Sequence, residues 1–213
     1  MNERPTELFV FGYGGAFKEI SKLISEDNLF EIIVVLQSNY EELSKSLSYR
    51  TIEEEKFFEL YEQKEVCVGI FIGDFNIRKK LVKLIKSKLK SVVFPSFNFT
   101  KYLEGSTLKE GNWIMPGCIF TDENIDIGSF NYFNFSCFIA HDVQIDSFNT
   151  FSPFVKVSGN CKITSNNFFG TGCILFPGIT VDNTSIGAGA VVKKKKLIGQ
   201  IVNIPQCDIY NKR

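Results

Sequence analysis

The chain has a single histidine among 213 residues, one tryptophan, and no surplus of either charge. One histidine excludes the multi-imidazole zinc site of a carbonic-anhydrase-like metalloenzyme. The six cysteines, at 67, 118, 137, 161, 173 and 207, contain no C-x-x-C pair. They are expected to be small buried thiols, and no metal is expected. Lys+Arg and Asp+Glu balance at 24 each, so bulk charge gives no reason to expect nucleic acid or an acidic membrane as partner. No apolar run approaches a membrane span, and residues 1–7 lack the apolar core of a signal peptide. A cytoplasmic location is expected.

The residues that are present fall into two textures. Over residues 1–95, strand and helix signals alternate. Short apolar runs at 7–12, 29–36, 66–73 and 91–94 read as strands, and the periodic segments at 16–25, 51–61 and 77–89 read as helices. This alternation predicts a small Rossmann-like α/β domain with a parallel sheet. After Pro95 the helical periodicity stops, and Gly, Asn, Phe, Ile and Ser rise.

Steps of six from Met115 land on Thr121, Ile127, Phe133, Ile139, Ile145, Phe151, Val157, Ile163, Phe169, Leu175 and Val181. Eleven of these twelve positions are apolar, where a 44% hydrophobic composition would give about five by chance. A six-residue period belongs to a parallel β-helix with three short faces and eighteen residues per turn. Residues eighteen apart then stack, giving the columns Met115–Phe133–Phe151–Phe169, Thr121–Ile139–Val157–Leu175 and Ile127–Ile145–Ile163–Val181. Asn131, Asn149 and Asn167 form a further column, expected to be an amide ladder. The repeat shifts by one residue near Val181 and resumes at Ile186. The expected domains are 1–95, a β-helix over 96–196 and a C-terminal tail over 197–213, with flat faces suited to oligomerisation.

The hexapeptide repeat resembles that of the hexapeptide acyltransferases, which implies a left-handed β-helix and a homotrimer. "VFGYGGAFKEI", "IGDFNIRKKL", "NWIMPGCIF", "FIAHDVQID" and "IGAGAVV", in this order, resemble one branch more closely. That branch comprises the bacterial acetyltransferases of nucleotide-linked amino sugars and their relatives in sialic-acid O-acetylation. The resemblance implies that His141 is the general base and that Asp142 polarises it. An imidazole can take a proton at neutral pH, and a carboxylate on its other nitrogen fixes the tautomer. Along a straight strand Asp142 would point away from the ring, so a corner must turn it back.

"GYGG" (12–15) follows a strand and opens a helix, a place where backbone amides hold phosphate. It is no complete dinucleotide fingerprint, because Phe17 takes the third glycine position and the second strand ends at Gln37 without a ribose-binding acid. The resemblance instead implies a nucleotide-sugar site at Gly12, Gly14, Gly15, Ala16 and Gln37, with Gly73 and Asp74 flanking the base. It implies acetyl-coenzyme A (acetyl-CoA) along a groove at Thr150, Gly159, Thr171 and Gly189. The lysine run 193–196 is either a solvated loop or an attraction for coenzyme A phosphates. Arg78 is either structural or a helix-surface cation. Ala16 and Thr150 stand where many members of the branch carry histidine.

The function implied is acetyl-CoA-dependent N-acetylation of the 4-amino group of a UDP- or dTDP-linked 4-amino-4,6-dideoxy sugar, for surface-glycan synthesis. The alternatives are O-acetylation of a sialic-acid-type sugar and a non-catalytic β-helix module.

Overall fold

The computed structural model describes residues 6–26, 29–37, 40–100, 103, 106–121 and 124–202. The first half contains β1 (Thr6–Phe11), α1 (Gly15–Glu26), β2 (Phe30–Leu36), α2 (Tyr40–Ser46), β3 (Arg50–Glu53), α3 (Glu54–Tyr61), β4 (Glu65–Ile70), α4 (Phe75–Lys88) and β5 (Ser91–Val93). The five strands pair in parallel in the order β3-β2-β1-β4-β5. β1 is buried on both faces: Leu8 and Val10 pack with Phe17 and Ile20 of α1, while Phe9 and Phe11 pack with Phe57 of α3 and Ile85 of α4. Two-sided burial explains why its sequence is a continuous apolar run rather than an alternation. The segment at 51–61, expected to be all helix, divides. Residues through Glu53 join the sheet beside β2, and the helix begins at Glu54. β-branched Thr51 and Ile52 favour the strand, and the edge position supplies the pairing that local periodicity cannot show.

The second half is the left-handed parallel β-helix expected from the repeat, with three faces of two- or three-residue strands. Its first face includes Trp113–Ile114, Tyr132–Phe133, Thr150–Phe151, Phe168–Phe169 and Ser185–Ile186. The second includes Ile119–Phe120, Phe138–Ile139, Lys156–Val157, Ile174–Leu175 and Val191–Val192. The third includes Asp126–Ile127, Gln144–Ile145, Lys162–Ile163, Thr180–Asp182 and Lys196–Ile198. The strands continue through Ile201–Val202, inside the segment read as the tail.

The stacking columns hold from Ile127 to Val181. The first coil corrects the expectation. Ile114, not Met115, stacks on Phe133, and Phe120, not Thr121, stacks on Ile139. One extra residue in the corner between Phe120 and Ile127 moves the frame. Met115 instead faces the first domain, packed with Trp113 and Phe71. At the other end Phe169 pairs with Ile186 and Val181 with Leu197, so the coils shorten.

Two columns hold the solenoid rigid. The rings of Phe133, Phe151 and Phe169 stack at 4.5 and 4.6 Å, nearly parallel. The amide ladder is longer than the three asparagines that announced it. Asn112 Oδ1 accepts from the Asn131 N–H, Asn131 Oδ1 from that of Asn149, Asn149 Oδ1 from that of Asn167, and Asn167 Oδ1 from that of Thr184, all at 2.8–2.9 Å. Each rung satisfies a backbone donor that the corner leaves unpaired. Most described corners carry one residue with positive φ, including Ser136, Asp142, Phe148, Phe154, Asn160 and Asn166.

Four of the five described cysteines are buried and Cys67 is half-buried; all five are free. Burial pushes the Cys67 thiol up to about 11 and that of Cys173 up to about 12. Among the described residues, no helix is long and apolar enough to cross a membrane.

The first domain sits on the first face of the β-helix. Trp113 stacks between Phe71 and Tyr132, each 4.9 Å away. Phe94 meets Phe130 at 5.1 Å.

Candidate active site

His141 and Asp142 occupy a corner between the second and third faces of the solenoid. Asp142 takes φ 54°, the left-handed conformation that short polar side chains tolerate. That turn swings its carboxylate back, and Nδ1 of His141 lies 2.9 Å from Oδ2 of Asp142. A carboxylate only accepts, so in the neutral ring Nδ1 carries the proton and Nε2 the lone pair. Both side chains are about half exposed, 54% and 48%. The ring lies over Gly159, where an added Cβ would come within 2.6 Å of Cε1 and Nε2. Gly159 stands eighteen residues on, one coil below, and its missing side chain makes room for the imidazole. Gly159, expected as a groove residue, also seats the ring.

The glycine loop lies at the point where the strand order reverses, between the carboxyl ends of β1 and β4. Clefts for ligands form there in open parallel sheets. Gly12 has φ +90°, and an added Cβ would meet Ile72 Cγ1 at 2.4 Å, so only glycine fits. Gly12 and Gln37 line a cleft of about 120 Å³ with Phe11, Tyr13, Val35, Ile72 and Leu81. Gly14 and Gly15 are exposed where α1 begins, with open space around each. Ala16 is part-buried in the first turn of α1. A larger groove between α3 and α4 is lined by Glu54, Glu55, Glu59 and Glu62, a charge that repels phosphate.

Gly73 and Asp74 link β4 to α4. The carboxylate of Asp74 caps that helix, accepting from the N–H groups of Asn76 (2.8 Å) and Ile77 (3.1 Å). Arg78 is neither on the surface nor ion-paired. It is 1% exposed and donates to the carbonyls of Ile72 (2.8 Å), Gly73 (2.9 Å) and Asn149 (3.0 Å) and to Thr150 Oγ1 (3.0 Å). Burial pulls its pKa down to about 9, with the Asp74 charge acting the other way, so it stays charged at neutral pH.

Thr150, expected to line the acetyl-CoA groove, is covered within this chain. It is 4% exposed under the first domain, and its hydroxyl proton goes to the Gly73 carbonyl at 2.9 Å. Thr171 and Gly189 are exposed together at the corner between the first and second faces, where the Gly189 N–H donates to Thr171 O at 2.8 Å. Within one chain the four expected groove residues therefore lie in three places. Pro177 and Lys194 continue the corner that carries His141 and Gly159, each one coil further down. Lys193 lies 5.3 Å from the Phe176 ring beside them.

Residues 7–85 match the family profile of the PglD N-terminal domain. A curated relative, GDP-perosamine N-acetyltransferase of Escherichia coli O157:H7, is 36% identical over 66 residues. That match spans 31% of this chain and 30% of the relative. Among solved structures, WeeI from Acinetobacter baumannii AYE superposes with a TM-score of 0.77 at 26% identity, over 93% of this chain and 97% of that one. The acetyltransferase domain of PglB from Neisseria gonorrhoeae FA1090, in complex with acetyl coenzyme A, gives a TM-score of 0.78 at 18% identity over 93% and 97%. Residues 7–85 thus resemble the PglD N-terminal domain, and the chain as a whole shares its fold with these solved structures.

Proposed function

We propose that this chain is an acetyl-CoA-dependent N-acetyltransferase acting on the 4-amino group of a nucleotide-linked 4-amino-4,6-dideoxy sugar, with His141 as general base. The observation that carries the reading is the His141–Asp142 pair, in which Asp142 holds Nδ1 and leaves Nε2 free at an open corner.

The amine attacks the thioester carbonyl carbon, forming the C–N bond and a tetrahedral oxyanion. Nε2 takes the proton that the nitrogen must lose, and Asp142 stabilises the imidazolium. Collapse of the oxyanion breaks the C–S bond, and the imidazolium proton passes to the departing sulfur. The products are the amide and free coenzyme A, with no acyl-enzyme. Because the hydroxyl proton of Thr150 is already used, main-chain N–H groups are left to meet the oxyanion.

Acetyl-CoA fits the corner running from His141 through Gly159 and Pro177 to Lys194. Three coils at a strand spacing of about 4.8 Å put Lys194 roughly 14 Å below the base. That span suits a pantetheine arm lying along the solenoid with its phosphates at the lysine run. The start of α1 suits the diphosphate of the sugar nucleotide.

The cleft favours a pyrimidine base, UDP or dTDP. Gln37 and the Tyr13 hydroxyl are the polar side-chain groups among the described lining residues, and the Gln37 amide offers one donor face and one acceptor face to the 3-imide edge. The paired N–H donors of guanine are best met by a carboxylate, and none lines the cleft among the described residues. A homotrimer is supported by the second face, whose outward Ile119, Phe138 and Val191 are exposed in the single chain, whereas the third face presents Asp126, Gln144 and Lys162. A cytoplasmic enzyme would meet both substrates where they are made.

The test is thiol release from acetyl-CoA with UDP-, dTDP- and GDP-linked 4-amino-4,6-dideoxyhexoses. Turnover is expected with a pyrimidine nucleotide, and His141→Ala should lower it at least a hundredfold, since general bases contribute about 10² to 10⁴. Turnover confined to the GDP sugar would overturn the base assignment. Near-wild-type turnover in the variant would overturn the mechanism. Silence on all three, with turnover on sialic acid, would make the acceptor a hydroxyl.

A further inference from the structure

Arg78 is a costly residue where it stands. Its guanidinium is buried among neutral oxygens, without a carboxylate in ion-pair range, and four residues into a helix whose N-terminal field opposes a cation. The Nε–H has no partner. The significance of a cation held this way lies in what its four hydrogen bonds join.

Two of them reach the Ile72 and Gly73 carbonyls in the link after β4. Ile72 is the residue that closes against Gly12, so this link forms one wall of the nucleotide cleft. The other two reach the Asn149 carbonyl and the Thr150 hydroxyl on the first face of the β-helix. Thr150 closes the ring by donating back to Gly73 O at 2.9 Å. Asn149 is a central rung of the amide ladder, bonded to Asn131 above and Asn167 below. It is therefore a fixed point of the solenoid. Asn149 and Thr150 also belong to the coil that carries His141, which runs from Phe138 through the Gln144–Ile145 strand to Thr150–Phe151.

We propose that Arg78 is a positioning residue: it locks the wall of the nucleotide cleft to the His141 coil and so sets the distance from the bound nucleotide to the base. The inference rests on the acetyltransferase reading above. Arginine suits this role because its planar fork serves several carbonyls at once, which the point charge of lysine cannot do. The nucleotide is held by its own domain, so loosening the clamp leaves nucleotide affinity intact. The sugar amine then sits off line from the thioester and the base, and a misplacement of about 1 Å can cost roughly a hundredfold in rate.

The experiment uses the full-length chain with Arg78→Lys and Thr150→Val, each checked by thermal melting and by emission of Trp113, which lies 5.8 Å from the guanidinium. For Arg78→Lys, kcat should fall about tenfold to a hundredfold while KM for the sugar nucleotide and for acetyl-CoA each move less than about threefold. A kcat within twofold of wild type overturns the proposal, and so does a loss carried wholly by KM. If Arg78→Lys does not fold, Thr150→Val decides: a kcat loss of threefold or more at steady KM supports the clamp, and an unchanged kcat overturns it. Wild-type protein silent on every sugar nucleotide overturns the acetyltransferase reading and this proposal with it, a failure read in the wild type alone.

Discussion

Asp142 reaches the ring of the residue before it only because its own backbone turns left-handed. Adjacent side chains on a strand diverge, and the 2.9 Å contact exists because the pair sits on a corner. The role of the carboxylate can be isolated, since asparagine tolerates the same φ. Asp142→Asn should keep the melting temperature within a few degrees and lower kcat at least tenfold, because an amide presents a donor to Nδ1 as readily as an acceptor and no longer fixes the tautomer. Unchanged turnover would show that His141 works without it. The His–Asp pair was legible in sequence. The contact of Gly159 with the ring was legible as well. Eighteen residues from His141 is one full coil, and that spacing alone places it under the ring. Thr150 and Arg78 were not legible, because their burial comes from a second domain laid across the first face, and no local pattern encodes that contact.

At the scale of the elements, the six-residue period fixes which residues face inward wherever every corner has the same length. It misplaced Met115 and Thr121 because one longer corner shifts the frame without disturbing the six-step pattern on either side. The same stacking turns the corner of His141 into a column ending at Lys194. If coenzyme A phosphates lie there, Lys194→Glu with Lys195→Glu should raise KM for acetyl-CoA about tenfold. KM for the sugar nucleotide should stay unchanged, and the effect should shrink in high salt. Equal effects on both KM values would mean that the lysines form a solvated loop. The small elements α2 and β3 escaped sequence detection for a simpler reason. Each is four to seven residues long, too short for periodicity to declare itself, and in the sheet β3 pairs with β2 alone.

For the whole molecule, the contrast between an apolar second face and a polar third face predicts one direction of self-association. Light scattering should give a mass near three times the 24.2 kDa of the chain, and Phe138→Lys should return it toward one. A monomeric wild type would remove the trimer. The coils also shorten along the chain. Tyr132 stands nineteen positions after its partner Trp113, Thr150 eighteen after Tyr132, Ser185 seventeen after Phe168 and Ile201 sixteen after Ser185. Open strand edges at the ends of a repeat array invite another copy to continue the ladder. Here a newcomer would have to seat its longest coil on the shortest one. The taper makes each end a poor template for the other, so the β-helix carries in its own dimensions a rule against growing into a fibre.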